Sequence, residues 1–206
     1  MKLSFLSLFA LSSLMVSSFA APTASFAERD VVATQVEKRS EVELTSILSG
    51  LVTEVFSFTA SINVTVTSCG EVEITETVKS QAIVTIQAEI QKIITAISNA
   101  TFSIIKLKLQ FYQLVETDFE LVISSCVQIM LECVYTFLNA IAVLKCSIFD
   151  LLGFYLVTFL NTYIAFLTAL GTSVANFIFS IQAAFQAHLH VIGEVFIEFG
   201  TLLECL

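Results

Sequence analysis

The stretch VKSQAIVTIQAEIQKIITAI, residues 78–97, decides the fold of this chain. Its apolar residues recur every three or four positions and form one stripe, made up of Val78, Ala82, Ile86, Ile90, Ile93 and Ile97. The residues away from this stripe include Gln87, Glu89 and Lys92. Because an α-helix turns once in about 3.6 residues, this spacing places the apolar side chains on one face. The stretch therefore predicts an amphipathic helix that packs that face against other helices.

A second amphipathic helix is predicted just before this one. Ser40 and Glu43 have the spacing of a capping box, which marks the start of a helix. The apolar stripe that follows includes Leu44, Ile47, Leu48, Leu51, Val52, Val55 and Ile62. Residues 62–76 are ambiguous, because two alternating runs around Cys69-Gly70 also fit a β-hairpin. We favour helix, loop and helix, with Gly70 as the stop, since an isolated hairpin of this size gains little stability.

The rest of the chain also has helical spacing. Neither Gly nor Pro occurs between Gly70 and Gly153, and a single helix of that length would be far outside the usual range. We therefore expect turns at Asn99 and at 116–118, and a helix stop at Gly171. The further helices are predicted over 102–116, 119–144, 151–170 and 174–199. The sequence thus predicts an all-α, up-and-down bundle of about five to six helices.

The N-terminus has the parts of a secretory leader. A charged start is followed by an apolar run and by small residues that end at Ala20, where cleavage is expected. A second processing site is predicted at Lys38-Arg39, the one dibasic pair of the chain. The alternative is an uncut surface pair, because a cut would place a new ammonium beside the positive end of the first helix. The predicted parts are a signal peptide at 1–20, a separate propeptide or linker at 21–39, and one helical domain at 40–206.

Export would expose the chain to disulfide formation and to glycosylation. The disulfide candidates are Cys69, Cys126, Cys133, Cys146 and Cys205. Their number is odd, so one thiol stays free or links two copies of the chain as a dimer. Cys126 and Cys133 lie about 10 Å apart along one predicted helix, which is too far for a disulfide between them. Asn63 and Asn99 each begin an N-glycosylation sequon.

The composition is acidic and strongly apolar. The net charge is −9, hydrophobic residues make up 56% of the chain, and charged residues only 13%. The surplus of acid disfavours binding to nucleic acid and electrostatic adhesion to anionic lipid. Between Leu151 and Gly193 the chain has no Asp, Glu, Lys or Arg. This half is therefore expected to lie inside a bundle or to meet lipid or another apolar surface.

Residues 151–170 are also long and apolar enough to cross a bilayer. As a single span after a cleaved leader, they would leave 171–206 in the cytoplasm without any Lys or Arg, against the positive-inside rule. A two-span hairpin over 151–193 would instead bury polar side chains at high cost, namely those of Gln182, Gln186, His188 and His190. We therefore favour a water-soluble bundle, and a membrane-embedded protein anchored through 151–193 is the alternative.

Few residues have the spacing that a metal site or a catalytic site requires. His188 and His190 are two residues apart, which places them on different faces of a helix and disfavours a metal pair. Glu194 and Glu198 share a face, but the Glu-x-x-His partners of a di-iron site do not accompany them. The sequence also contains no nucleophile elbow, phosphate-binding loop or Cys-x-x-Cys pair. We therefore expect a protein without catalytic activity, cofactor or metal.

The leader, the dibasic pair and the helical pattern are similar to those of a fungal-type secretory precursor that a kexin-like protease trims. In overall plan the chain resembles small secreted helical proteins of fungi, including those that coat hydrophobic surfaces. No motif links it to a named family, so the resemblance implies no functional residue. It implies a secreted, non-enzymatic helical protein that contacts an apolar surface, a lipid or a partner protein at the cell wall or outside the cell.

Overall fold

Six helices make up the part of the chain that the computed structural model describes. The described residues are 26–70, 74–107, 114–186 and 188, with side chains from Val42 onward. The helices are α1 (Phe26–Gly70), α2 (Glu76–Lys106), α3 (Glu116–Leu144), α4 (Ile148–Leu152), α5 (Phe154–Ser173) and α6 (Phe177–Gln186). The predictions of an all-α fold and of five to six helices are confirmed.

The long helices α1, α2, α3 and α5 pack side by side, and α1 makes its most extensive contacts with α2 and α3. Two hydrogen bonds fix α1 and α3 in the same direction: Thr59 with Glu132, and Asn63 with Asn139. Helix α2 runs the opposite way, because Lys92 lies over the ring of Phe58 while Lys106 and Val42 line one pocket at the other end. The helices therefore alternate in direction along the chain, and side-by-side neighbours can be parallel.

The apolar stripes predicted from the sequence form the core. In α2 the buried side chains include Ala82, Ile86, Ile90, Ile93 and Ile97, and in α1 they include Leu44, Leu48, Leu51, Val55 and Ile62. Aromatic rings fill the part of the core between α3 and α5, where Phe137 meets Phe159 edge to face with 5.8 Å between ring centroids. Burial of each such side chain contributes about 1.5–3 kcal/mol, so these stripes supply most of the driving force for folding.

Helix α1 ends at Gly70, as predicted, and the β-hairpin alternative is wrong for the residues described there. The turn predicted at Asn99 is also wrong, because α2 continues through it to Lys106. Ala100 and Ile104 extend the buried stripe past Asn99 and hold the helix together. The predicted turn at 116–118 is instead the first turn of α3, and the separate helix over 102–116 is not formed in its described parts.

The chain reverses around α5 at positions other than the predicted ones. A capping box of Ser147 and Asp150 begins α4, and Gly153 separates α4 from α5 with a positive φ of 49°. The predicted stop at Gly171 is wrong, because α5 continues to Ser173 and the chain turns at Asn176, whose φ is 59°. Gly171 lacks a side chain where Ile178 of α6 approaches α5, so the absence of a methyl group permits this close contact.

The predicted leader lies only partly within the described residues. The signal peptide at 1–20, with its cleavage site at Ala20, is outside them. The backbone of 26–39 is helical and continuous with α1. Lys38-Arg39 therefore lies within a helix, and a protease that binds extended backbone must unwind this turn to cut there. Processing at this pair stays a prediction. The division of the chain into a linker at 21–39 and a domain at 40–206 stays a prediction as well.

Candidate contact surface and groove

The outward side of α5 and α6 carries no charged residue. Helix α5 turns Phe159, Tyr163 and Phe166 inward, which leaves the opposite face of the helix to the outside. The most exposed large side chains are Phe154 at 81% and Phe179 at 79%. We call the exposed residues of α5 and α6 the charge-free surface. They include the apolar side chains of Phe154, Val157, Ala165 and Phe179 and the polar side chains of Asn161 and Thr168.

Hydroxyl groups on the exposed helix faces are bonded to their own helices. Thr168 donates to the carbonyl of Ile164 at 2.8 Å, and Thr158 donates to that of Phe154 at 3.2 Å. On α1 the same kind of bond is made by Ser49, Thr53, Ser61, Thr65, Thr67 and Ser68. Such bonds satisfy a hydroxyl donor without water, so these faces tolerate contact with an apolar phase better than their composition alone indicates.

In the part of the chain that the structure describes, three helical stretches are long and apolar enough to cross a membrane, judged by length and composition. They are Val42–Gly70, Glu116–Leu144 and Phe154–Ser173. Charged side chains nevertheless lie halfway along the bundle: Glu54 is exposed on α1, and Lys92 pairs with Glu89 on α2 at 2.7 Å. A charge at that depth is costly in hydrocarbon, whereas water solvates it.

The predicted disulfides are not formed among the described cysteines. The free thiols are those of Cys69, Cys126, Cys133 and Cys146, and Cys205 lies outside the described residues. Cys126 and Cys133 are fully buried on α3, and burial raises the pKa of both thiols, with a smaller contribution from Glu132 at Cys133. A raised pKa keeps a thiol protonated, so both side chains act as small apolar groups of the core.

The buried hydroxyl of Tyr163 ties α5 to α3. It donates a hydrogen bond to the backbone carbonyl of Cys126, in the middle of α3. The ring is stacked with Phe159 and meets Phe185 of α6 edge to face. Burial raises the pKa of Tyr163 well above its ordinary value, and Cys126 and Cys133 raise it further. This residue therefore connects three helices at one place in the core, a role that its sequence spacing alone did not indicate.

Both predicted glycosylation sites lie within helices. Asn99 is exposed on α2, where its amide faces the outside. Asn63 is half-buried, and its Oδ1 accepts a hydrogen bond from Nδ2 of Asn139 at 3.1 Å. Asn99 is thus the more accessible of the two sequons.

A groove of about 780 Å³ lies where α1, α3 and α6 meet, and His188 stands at its edge. Its apolar lining includes Phe56, Phe119, Ile123, Val127, Leu131 and Ala184. Its polar lining includes Glu120, Gln128, Glu132 and Tyr135. None of these residues except His188 has a sequence spacing that indicates a site, although the single Glu132 within the apolar stretch of α3 was a signal for one. His190, Glu194 and Glu198 lie outside the described residues.

Within the described residues, no three His, Cys, Asp or Glu side chains come together as metal ligands. The described architecture is that of a small helical bundle with a charge-free surface on α5 and α6 and a separate amphipathic groove. No family model, curated protein or solved structure matches this chain.

Proposed function

We propose that this protein is an exported, non-enzymatic helical protein that adsorbs to a lipid or other apolar surface through its charge-free surface. The observation that carries the proposal is the exposure of Phe154 and Phe179 on helices that contain no charged residue. Monomeric soluble proteins seldom expose large contiguous apolar areas unless these serve an interaction. The helix-bonded hydroxyls of Thr158 and Thr168 support the same role, because their donors stay satisfied when water is lost.

The chemistry of this surface favours adsorption driven by apolar burial. The chain carries a net charge of −9, so anionic headgroups would repel it and neutral lipid is the expected partner. Insertion of one Phe side chain into an apolar phase contributes about 1.5–3 kcal/mol. Two such residues are enough for reversible binding, in keeping with a role at the cell wall or outside the cell.

Flotation with neutral phosphatidylcholine vesicles tests the proposal on the full chain as secreted into culture medium. We expect the protein to float with the vesicles and the double variant F154S/F179S to bind at least about tenfold more weakly. Phe102→Ser is the matched control, because Phe102 is 59% exposed but packs against Lys106 on α2, away from the charge-free surface. Equal losses for the double variant and the control would contradict the proposal.

A membrane-embedded protein is the second candidate, and the three span-length apolar stretches favour it. Carbonate extraction of cells that express the full chain separates the two candidates. Release of the protein into the supernatant or the medium supports adsorption. Retention in the membrane pellet would support a membrane-embedded protein and would contradict the adsorption proposal.

A further inference from the structure

The groove between α1, α3 and α6 has the size and lining of a small-molecule site. Ligand sites in proteins usually occupy about 300–1,000 Å³ and combine apolar walls with a few polar groups, and the volume of about 780 Å³ falls within that range. The apolar wall on α3 is formed by three side chains that follow one another at intervals of about one helical turn, namely Phe119, Ile123 and Val127. An elongated apolar body can therefore lie along α3.

Two carboxylates line this groove, and a histidine, His188, stands at its edge. The carboxylates are those of Glu120 and Glu132, and the described part of the lining includes neither Lys nor Arg. Glu132 is half-buried, and its Oε1 accepts a hydrogen bond of 2.9 Å from the hydroxyl of Thr59, which is fully buried. The same hydroxyl lies 3.1 Å from the carbonyl oxygen of Phe56, so its proton is shared between two acceptors. The bond to Glu132 uses Oε1 and leaves Oε2 for a ligand. A carboxylate beside apolar walls attracts a cation more strongly than one in open water does.

We propose that this groove binds an amphiphile with an amine cation, such as a long-chain amine. The ammonium group lies at Glu132, and the apolar chain extends along the wall formed by Leu131, Val127 and Ile123. Glu120 lies about 18 Å away along α3, towards the other end of the groove. The exposed ring of Tyr135 lines the same groove and adds an aromatic face suited to a cation. This inference goes beyond the proposed function, because it assigns a separate site and a ligand of defined charge.

The C-terminal segment of the chain is a less suitable occupant. Residues 189–206 contain three Glu and neither Lys nor Arg, so they would bring negative charge to a groove that is already acidic. An anionic lipid or fatty acid meets the same repulsion. A neutral alcohol lacks the charge that Glu132 would attract. We therefore expect amines to bind most tightly, neutral alcohols less tightly and anions least tightly.

Calorimetric titration of the full chain with decylamine, decanol and decanoate at neutral pH tests this ranking. The three probes share one alkyl chain and differ in the charge of the head. We expect decylamine to bind about tenfold more tightly than decanol, with decanoate weakest. Glu132→Gln should remove this preference and leave decanol binding unchanged. Glu54→Gln is the matched control, because it removes the same charge from an exposed position of α1 outside the groove lining.

A bulky substitution in the groove tests whether the probes bind there. Ala184→Trp puts a large ring in the groove and should abolish binding of all three probes, whereas Ala165→Trp, on the exposed face of α5, should not. Equal binding of decanoate and decylamine would overturn the proposal, as would equal effects of Glu132→Gln and Glu54→Gln. Failure of the full chain to bind any probe would also overturn it. None of these outcomes depends on vesicle adsorption, so the two proposals fail independently.

Discussion

Alkaline pH should weaken this fold through the buried thiols of Cys126 and Cys133. Burial raises the pKa of both above the ordinary value of 9.0, which each thiol regains when the chain unfolds. Below pH 9 both thiols are protonated in the folded and the unfolded states, and their contribution to stability is fully present. Above pH 9 the unfolded chain releases these protons while the folded protein retains them, so the free energy of unfolding falls as the pH rises through this window.

The size of the effect follows from this difference in proton binding. Each pH unit above 9 lowers the free energy of unfolding by about 1.4 kcal/mol per thiol. Two thiols therefore remove about 3 kcal/mol between pH 9 and pH 10.5, allowing for the gradual onset near the pKa. A domain of this size is stable by about 5–15 kcal/mol, so the loss is large enough to measure.

Urea denaturation followed by far-UV circular dichroism at pH 8, 9, 10 and 10.5 measures this slope. We expect Cys126→Ala and Cys133→Ala each to remove about half of the pH dependence that the thiols cause. Val127→Ala is the control, because Val127 is a buried neighbour on α3 that does not titrate. It should lower stability by the same amount at every pH and leave the slope unchanged.

The experiment also tests whether these cysteines are free. A thiol in a disulfide has no proton to release, so a disulfide at either position would remove its share of the slope until a reductant is added. Stability that stays constant from pH 8 to pH 10.5, with and without reductant, would refute the reasoning. A slope that neither cysteine substitution changes would refute it as well.

Three further outcomes are expected. Tyr163→Phe should cost about 1 kcal/mol in urea denaturation and Tyr163→Ala about 3–5 kcal/mol, because only the second removes the ring; equal losses would contradict this account. Thr75→Ala should cost about 1 kcal/mol, because Thr75 caps α2, while the exposed Thr77→Ala should change stability little; similar losses would contradict the cap assignment. In secreted protein, Asn99→Gln should lower the intact mass by one glycan and Asn63→Gln should not, since only Asn99 is exposed; the reverse result would contradict the exposure argument.

The helical fold followed from the sequence because apolar periodicity is a local property. The stripe of α2 lies within residues 78–97, and every side chain of its predicted core apart from Val78, which is half-buried, is buried in the structure. The same holds for α3, whose predicted range of 119–144 differs from the observed Glu116–Leu144 by less than one turn at one end. Strong periodicity of this kind needs no knowledge of the partner helix.

The positions of the helix ends could not be predicted from apolar periodicity. Asn99 is a residue that often breaks helices, yet α2 passes through it because Ala100 and Ile104 are buried against neighbouring helices. The preference of one Asn against helix is under about 1 kcal/mol, and burial of one Ile exceeds it. Gly171 is a similar case, since a glycine predicted to stop α5 serves instead as a point of close approach to Ile178.

The groove depends entirely on contacts between distant parts of the chain. Thr59 and Glu132 are 73 residues apart, and nothing in the spacing around either residue indicates that the two are hydrogen-bonded. By itself, the sequence determined the helical class, the core stripes and the charge-free segment, because periodicity and composition depend on neighbouring residues alone. The tertiary structure alone decided where the helices end, that the described thiols stay free and which faces remain exposed, because these depend on which helices pack together.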